Sequence, residues 1–248
     1  MKVLGVIPAR YESTRFPGKP LVNIRGKSMI ARVYERCRQA KTLDQVVVAT
    51  DDQRIFDHVR SFGGEVMMTS KSHRSGTDRC AEVAAEHSEV EIVVNIQGDE
   101  PFIDPNQIDQ LVQLFDGVST VDIATLAKKI DSEEALMDPN IVKVVFNKQA
   151  QALYFSRSTI PFVRNLASSQ WLRHHDFYKH IGIYAFKNEV LQACAKLPQG
   201  RLEIMESLEQ LRWLEAGYNI SVGLTKLETM GIDTPEDLEK FETKNELL

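Results

Sequence analysis

The sequence predicts an α/β protein, a doubly wound and mostly parallel sheet with a strand-rich insertion. Three observations carry this. Short apolar, largely β-branched runs recur at residues 3–7, 46–50 and 92–96, the pattern of strands buried on both faces. Stretches of helical periodicity separate them, and that rhythm favours βαβ units with parallel pairing. A length of 248 residues with 43% hydrophobic and 26% charged content suits a globular chain able to bury a large core.

The first strand, residues 3–7, is expected to stop at Pro8. Residues 9–19 then hold Arg10, Arg15 and Lys19 against one acid, Glu12, on a chain of net charge −5. Ser13, Thr14, Pro17 and Gly18 mark this stretch as a constrained loop. In open α/β sheets ligands bind beyond the carboxyl ends of the strands, where such a loop would lie. Two arginines can fork phosphate oxygens and a lysine can act as a point charge. Gly18-Lys19 lacks the first glycine and the Ser/Thr of a P-loop, and no G-x-G-x-x-G follows the strand. The competing reading is a basic surface loop.

Residues 27–40 read as a helix with Met29, Ile30, Val33, Tyr34 and Cys37 on one stripe. A second strand at 46–50 leads to a helix at 55–62 closed by Gly63-Gly64. A third strand is expected at 65–68, a helix at 77–87, and a fourth strand at 92–96. Asp104-Pro105-Asn106-Gln107 opens the next helix as cap, first-turn proline and N3 glutamine. From about residue 121 the rhythm changes to strands at 123–126, 142–146, 153–155 and 181–186, with loops at 129–140 and 163–177. A single helix is expected at 202–216, closed by Gly217, then a strand at 220–224 and a final helix from Pro235. The whole is expected to be one domain, 1–248, with residues 150–187 as a β-rich excursion.

Composition excludes several classes. A pI near 5.7 argues against a nucleic-acid-binding protein. Cys37, Cys80 and Cys194 are far apart and without C-x-x-C spacing, against structural zinc or a disulfide framework. No apolar run approaches the roughly 20 residues that cross a bilayer, and no signal peptide is legible. A cytoplasmic protein without membrane insertion is expected.

Pro8-Ala9-Arg10, Ser13, Arg15 and Pro17-Gly18-Lys19-Pro20 together resemble the signature loop of the sugar nucleotidyltransferases, most closely that of the 3-deoxy-manno-octulosonate (Kdo) cytidylyltransferases. Further segments match in the family's order. They are Ser75-Gly76-Thr77, Gln97-Gly98-Asp99, Leu153-Tyr154-Phe155-Ser156-Arg157, Ile160-Pro161-Phe162, Lys179-His180-Ile181-Gly182-Ile183-Tyr184, and Glu206 to Arg212. The match runs from Pro8 to Leu238. Two positions depart from it: Glu12 stands where a small residue is expected, beside the cations, and Lys179 where many relatives carry arginine.

The acids can be weighed residue by residue. Magnesium takes one or two carboxylates and fills its shell with water and phosphate oxygen. Asp99 follows the fourth strand, with Asp104 rather than Asp99 placed to cap the next helix; the competing reading is a Gly-Asp turn. Thr234, Pro235 and Asp237 can serve as N-cap, N1 and N3 of the last helix, which leaves Asp233 without capping duty; a cap shifted by one residue would make it structural. Ser75 or Thr77 can cap the helix at 77–87, or Arg74, Ser75 and Gly76 can line a nucleotide.

The resemblance implies a nucleotide-diphospho-sugar-transferase-like fold whose strand-rich insertion covers the sugar. It implies transfer from CTP to Kdo for lipopolysaccharide biosynthesis, with Mg²⁺ and a homodimer. It assigns Ala9, Arg10, Ser13, Thr14, Arg15, Lys19, Arg74, Ser75, Gly76 and Gln97 to the nucleotide. Arg157, His180, Tyr184, Glu209 and Gln210 go to the acid sugar, and Asp99 and Asp233 to the metal. Arg10, Lys19, Asp99 and Asp233 are the implied catalytic set. Alternatives are a cytidylyltransferase for 8-amino-Kdo or sialate, a hexose-1-phosphate enzyme, and a non-catalytic sugar-nucleotide sensor.

Overall fold

The computed structural model describes residues 1–248 except 13–15, 118–119, 229–230 and 244–248. The chain divides into two compact units, Met1–Asp109 with Thr229–Leu248, and Gln110–Glu228.

The first unit is built on β1 (Val3–Ala9). A small hairpin, β2 (Asn23–Ile24) and β3 (Lys27–Ser28), precedes α1 (Met29–Cys37). Then come β4 (Gln45–Thr50), α2 (Gln53–Ser61), β5 (Val66–Met68), α3 (Gly76–Ala85), β6 (Ile92–Asn95) and the start of α4 (Pro105–Gln113). The sheet order is β6-β1-β4-β5, all parallel, with Val6 opposite Val47 and Asn95. Leu4, Val6, Ile7, Val48, Val93 and Val94 are fully enclosed, so the apolar, mostly β-branched runs do form strands buried on both faces.

Pro8 does not end β1 as expected; it pairs with Ala49 inside the strand. The Val6 carbonyl faces β6, accepting from Ile96 N. Pro8, two residues on, faces the same side, where β6 has already ended. Its missing N–H therefore costs no ladder bond. The helix expected at 27–40 begins later, because Ser28 accepts from Ala31 N as its cap.

The second unit holds β7 (Ile123–Lys129), α5 (Glu133–Met137), β8 (Lys143–Phe146), β9 (Ala152–Ser156), α6 (Trp171–His174), β10 (Tyr178–Lys187), α7 (Asn188–Cys194), α8 (Arg201–Glu206), α9 (Gln210–Glu215) and β11 (Ile220–Leu224). Its strands run β11-β7-β10-β8-β9, with β11 parallel to β7 and the other pairs antiparallel. The final helix, α10 (Pro235–Thr243), returns to the first unit.

Three expectations change here. The helix at 202–216 is two helices, because Ser207 adopts a left-handed conformation (φ 53°) that stops α8. The loop at 129–140 contains α5, started by the Ser132 hydroxyl accepting from Ala135 N. The loop at 163–177 contains α6, whose Trp171 stacks on Phe177 at 6.0 Å. The helix α7 was not anticipated.

Candidate active site

The basic loop returns on itself where Gly18 N donates to Tyr11 O at 2.9 Å. Gly18 is left-handed (φ 71°), and a Cβ there would meet the Tyr11 ring at 3.1 Å, so glycine is required. A 3₁₀ turn at Lys19–Leu21 follows and carries Lys19 inward. Its ammonium donates to Asp99 Oδ2 at 2.8 Å and Asp233 Oδ1 at 2.9 Å.

Local sequence explains why the two acids meet. Asp99 follows β6 through Gly98, where a Cβ would lie 2.7 Å from the Pro8 carbonyl oxygen; only glycine lets the two backbones pass so closely. Ile232 is fully buried against Ile24 and Met29, and its N–H donates to Asp99 O at 2.9 Å. At the next turn Asp237 accepts from Thr234 N and the Thr234 hydroxyl accepts from Asp237 N. This is the expected capping box, and it leaves the Asp233 carboxylate for Lys19.

Ala9, Arg10, Lys19, Arg74, Ser75, Gly76, Gln97, Asp99 and Asp233 all line one cavity of about 310 Å³. Ser13, Thr14 and Arg15 lie outside the described residues. Ser75 also caps α3, accepting from Asp78 N, so its capping and pocket-facing positions coexist. Among the described residues, the Arg10 and Arg74 guanidiniums pair with no carboxylate, and both are exposed. His73 and Arg79 line the cavity too, though the sequence reading assigned them no role. Arg79 is tied to Asp51 at 2.6 Å, and His73 Nε2 is bonded to Glu82.

The magnesium expectation can be tested on these donors. Two hard carboxylate oxygens already share one cation, the Lys19 ammonium, at the wall of a cavity. Magnesium recruits one or two carboxylates, and two are present. The donor set fits.

In the second unit, β10 carries a register shift between Ile181 and Tyr184, a bulge that re-aims neighbouring side chains. Thr125 Oγ1 lies 3.2 and 2.8 Å from the carbonyls of Ile181 and Ile183 and 2.9 Å from His180 Nε2. Carbonyls only accept, so the single hydroxyl hydrogen goes to them and His180 Nε2 must donate. Nδ1 is then left as an acceptor. Burial lowers the His180 pKa from 6.5 to about 3. The folded chain thus binds fewer protons here than the unfolded chain between those values. This contribution to stability is complete above about pH 6.5 and is lost as pH falls toward 3. His180→Gln should lose less stability than the unaltered chain between about pH 7 and pH 4.5, read from urea midpoints.

Tyr184 Oη and Trp213 Nε1 are enclosed with no hydrogen-bond partner among the described residues, their rings T-shaped at 5.0 Å. Burial, with the charge of Glu209 adding to it, raises the Tyr184 pKa well above 10.0, so the phenol keeps its proton. Trp213 was read only as part of a helix; a donor left without a partner shows only in three dimensions. Gln210 is buried at the start of α9, and Glu209 accepts from Arg212 Nη2 at 2.8 Å. Arg157 gives its guanidinium hydrogens to the carbonyls of Glu206, Pro139 and Ser207. The Glu206 carboxylate accepts from the Ser156 hydroxyl and the Arg157 amide.

A family model described as cytidylyltransferase matches residues 4–222. The chain belongs to the cytidylyltransferase family. Near-full-length cytidylyltransferase relatives agree. The 3-deoxy-manno-octulosonate cytidylyltransferase of Parabacteroides distasonis is 56% identical, covering 97% of this chain and 96% of that one. That of Thermodesulfovibrio yellowstonii is 51% identical, covering 98% and 97%. A solved structure of CMP:2-keto-3-deoxy-manno-octonic acid synthetase complexed with CTP superposes with a TM-score of 0.90 at 45% identity, covering 98% of both chains. A cytidylyltransferase from Leptospira borgpetersenii, at 20% identity and a TM-score of 0.63, shares the fold.

Proposed function

We propose that this cytidylyltransferase activates 3-deoxy-manno-octulosonate with CTP, giving CMP-Kdo and pyrophosphate. The observation that carries the reading is the Lys19 ammonium between Asp99 and Asp233 in the cavity that Arg10 and Ser75 also line. It is supported by the near-full-length relatives of that name.

In the proposed reaction the anomeric hydroxyl oxygen of the sugar bonds to the α-phosphorus of CTP. The bond from that phosphorus to the β-phosphate oxygen breaks, pyrophosphate leaves opposite, and the hydroxyl proton passes to solvent. Such transfers depend on positioning and charge stabilisation rather than on a covalent enzyme intermediate. Arg10 and Lys19 neutralise charge on the triphosphate, together with Arg15. Ala9, Ser13, Thr14, Arg74, Ser75, Gly76 and Gln97 hold the nucleotide. Asp99 and Asp233 would hold Mg²⁺, which when bound would supply a Lewis acid toward the attacking hydroxyl and charge screening for the triphosphate.

Arg157, whose acceptors are all neutral carbonyls, keeps an unneutralised charge for the sugar carboxylate. Neutral His180 accepts a sugar hydroxyl at Nδ1, and Tyr184, Glu209 and Gln210 take further hydroxyls. The chain works as a homodimer, supported by the exposed apolar side chains Leu153, Ile204 and Met205 on β9 and α8, which Ser156 and Glu206 tie together; sedimentation equilibrium reads this directly. Its place is the cytoplasm, in lipopolysaccharide assembly. Three free cysteines accord with that, and no helix among the described residues is long and apolar enough to cross a membrane.

A coupled pyrophosphate assay tests the reading. CTP with Kdo and Mg²⁺ should release pyrophosphate, and EDTA should abolish the release until excess Mg²⁺ is restored. Binding of CTP without any pyrophosphate release would leave only a sensor and end the proposal.

A further inference from the structure

We infer that Arg54 is a positioning residue for the nucleotide, acting through Tyr11. Its guanidinium carbon lies 3.3 Å from the centre of the Tyr11 ring. Asp52 fixes it from behind through two hydrogen bonds, Nε to Oδ1 at 2.9 Å and Nη2 to Oδ2 at 2.6 Å. Asp52 is itself anchored, because it caps α2 by accepting from Arg54 N. The Tyr11 ring also lies where a Cβ on Gly18 would meet it at 3.1 Å, and the Tyr11 carbonyl accepts the Gly18 N–H that closes the loop. The series of contacts therefore runs Asp52, Arg54, Tyr11, Gly18. Its last two members adjoin in sequence two of the cavity's cations, Arg10 and Lys19.

The arrangement also answers Glu12, the acid beside those cations. The charge of Glu12 is felt at Arg54, as the smallest of the influences there, after Asp52 and Tyr11. A guanidinium there offsets a carboxylate that would otherwise repel a triphosphate. Arg54 is not among the residues lining the cavity, so it acts on the nucleotide only through the loop.

The inference rests on the CTP reading, and its test separates the two. Titration calorimetry of CTP onto Arg54→Ala should show binding weakened about 3- to 5-fold, the range of an exposed cation–π contact. KM for CTP should rise alike, with kcat at saturation and the melting temperature unchanged. Tyr11→Phe keeps the ring and should bind CTP as the unaltered chain does. Tyr11→Ala should reproduce the Arg54→Ala loss, and the double variant should be no weaker than either. Adding Glu12→Gln to Arg54→Ala should recover part of the affinity.

An unaltered CTP affinity in Arg54→Ala, or losses that add, overturns the inference; failure of Glu12→Gln to recover affinity overturns its electrostatic half. If the unaltered chain binds CTP but releases no pyrophosphate with Kdo, the functional reading fails and calorimetry still judges Arg54. A chain that does not bind CTP overturns both.

Discussion

Asp99→Asn lowers turnover by about two to three orders of magnitude, the usual loss when one preorganised electrostatic group of the reacting centre, here a carboxylate for the metal, is removed. The substitution is nearly isosteric and takes away one negative charge. Lys19 keeps its contact with Asp233 at 2.9 Å. The backbone at residue 99 stays fixed, because its carbonyl accepts from Ile232 N. Stability should therefore barely move, since a partly exposed ion pair contributes only about 0–1 kcal/mol. The measurement is kcat from pyrophosphate release across a Mg²⁺ series, beside thermal melts. Undiminished turnover would remove Asp99 from the metal. A large fall in melting temperature would make the activity loss a folding effect.

Lys19→Ala has a comparable effect on turnover, about 10²- to 10³-fold, with a different signature in stability. It removes the cation that touches both carboxylates and leaves them with only their mutual repulsion and their other contacts. Without magnesium the variant should melt lower than the unaltered chain. Added Mg²⁺ should raise its melting temperature more, because the ion then supplies the missing charge. Lys19→Arg should not restore turnover, since a planar fork replaces a compact ammonium seated between two oxygens. Equal Mg²⁺ responses in the variant and the unaltered chain would show that Lys19 and the ion do not share these carboxylates.

Much of the first unit was legible in advance. The apolar runs that became β1, β4 and β6 are readable because a strand buried on both faces needs no alternation. The caps at Ser75 and Thr234 concern residues three apart, and near neighbours suffice to specify them, whereas the Ser28 cap that delays α1 was not anticipated. The second unit was harder. Periodicity across residues 202–216 describes two helices as well as one, and only the left-handed Ser207 divides them. Pro8 looked like a stop because its tolerance inside β1 depends on where β6 ends. The short α7 presents too few apolar positions, Val190, Leu191 and Cys194, to stand out beside a ten-residue strand.

By itself the sequence determined the kinds of group at the site: the basic loop after the first strand, the acid after β6, and an Asp233 spared by the Thr234–Asp237 box. Each depends on local chemistry or strand order. Only the tertiary structure decided that one ammonium spans Asp99 and Asp233, that a bulge against Thr125 settles the tautomer of His180, and that Arg54 lies on Tyr11. Those contacts join residues far apart in the chain. They are set by the burial of side chains such as Ile232 and by strand register, neither of which a single stretch of sequence encodes.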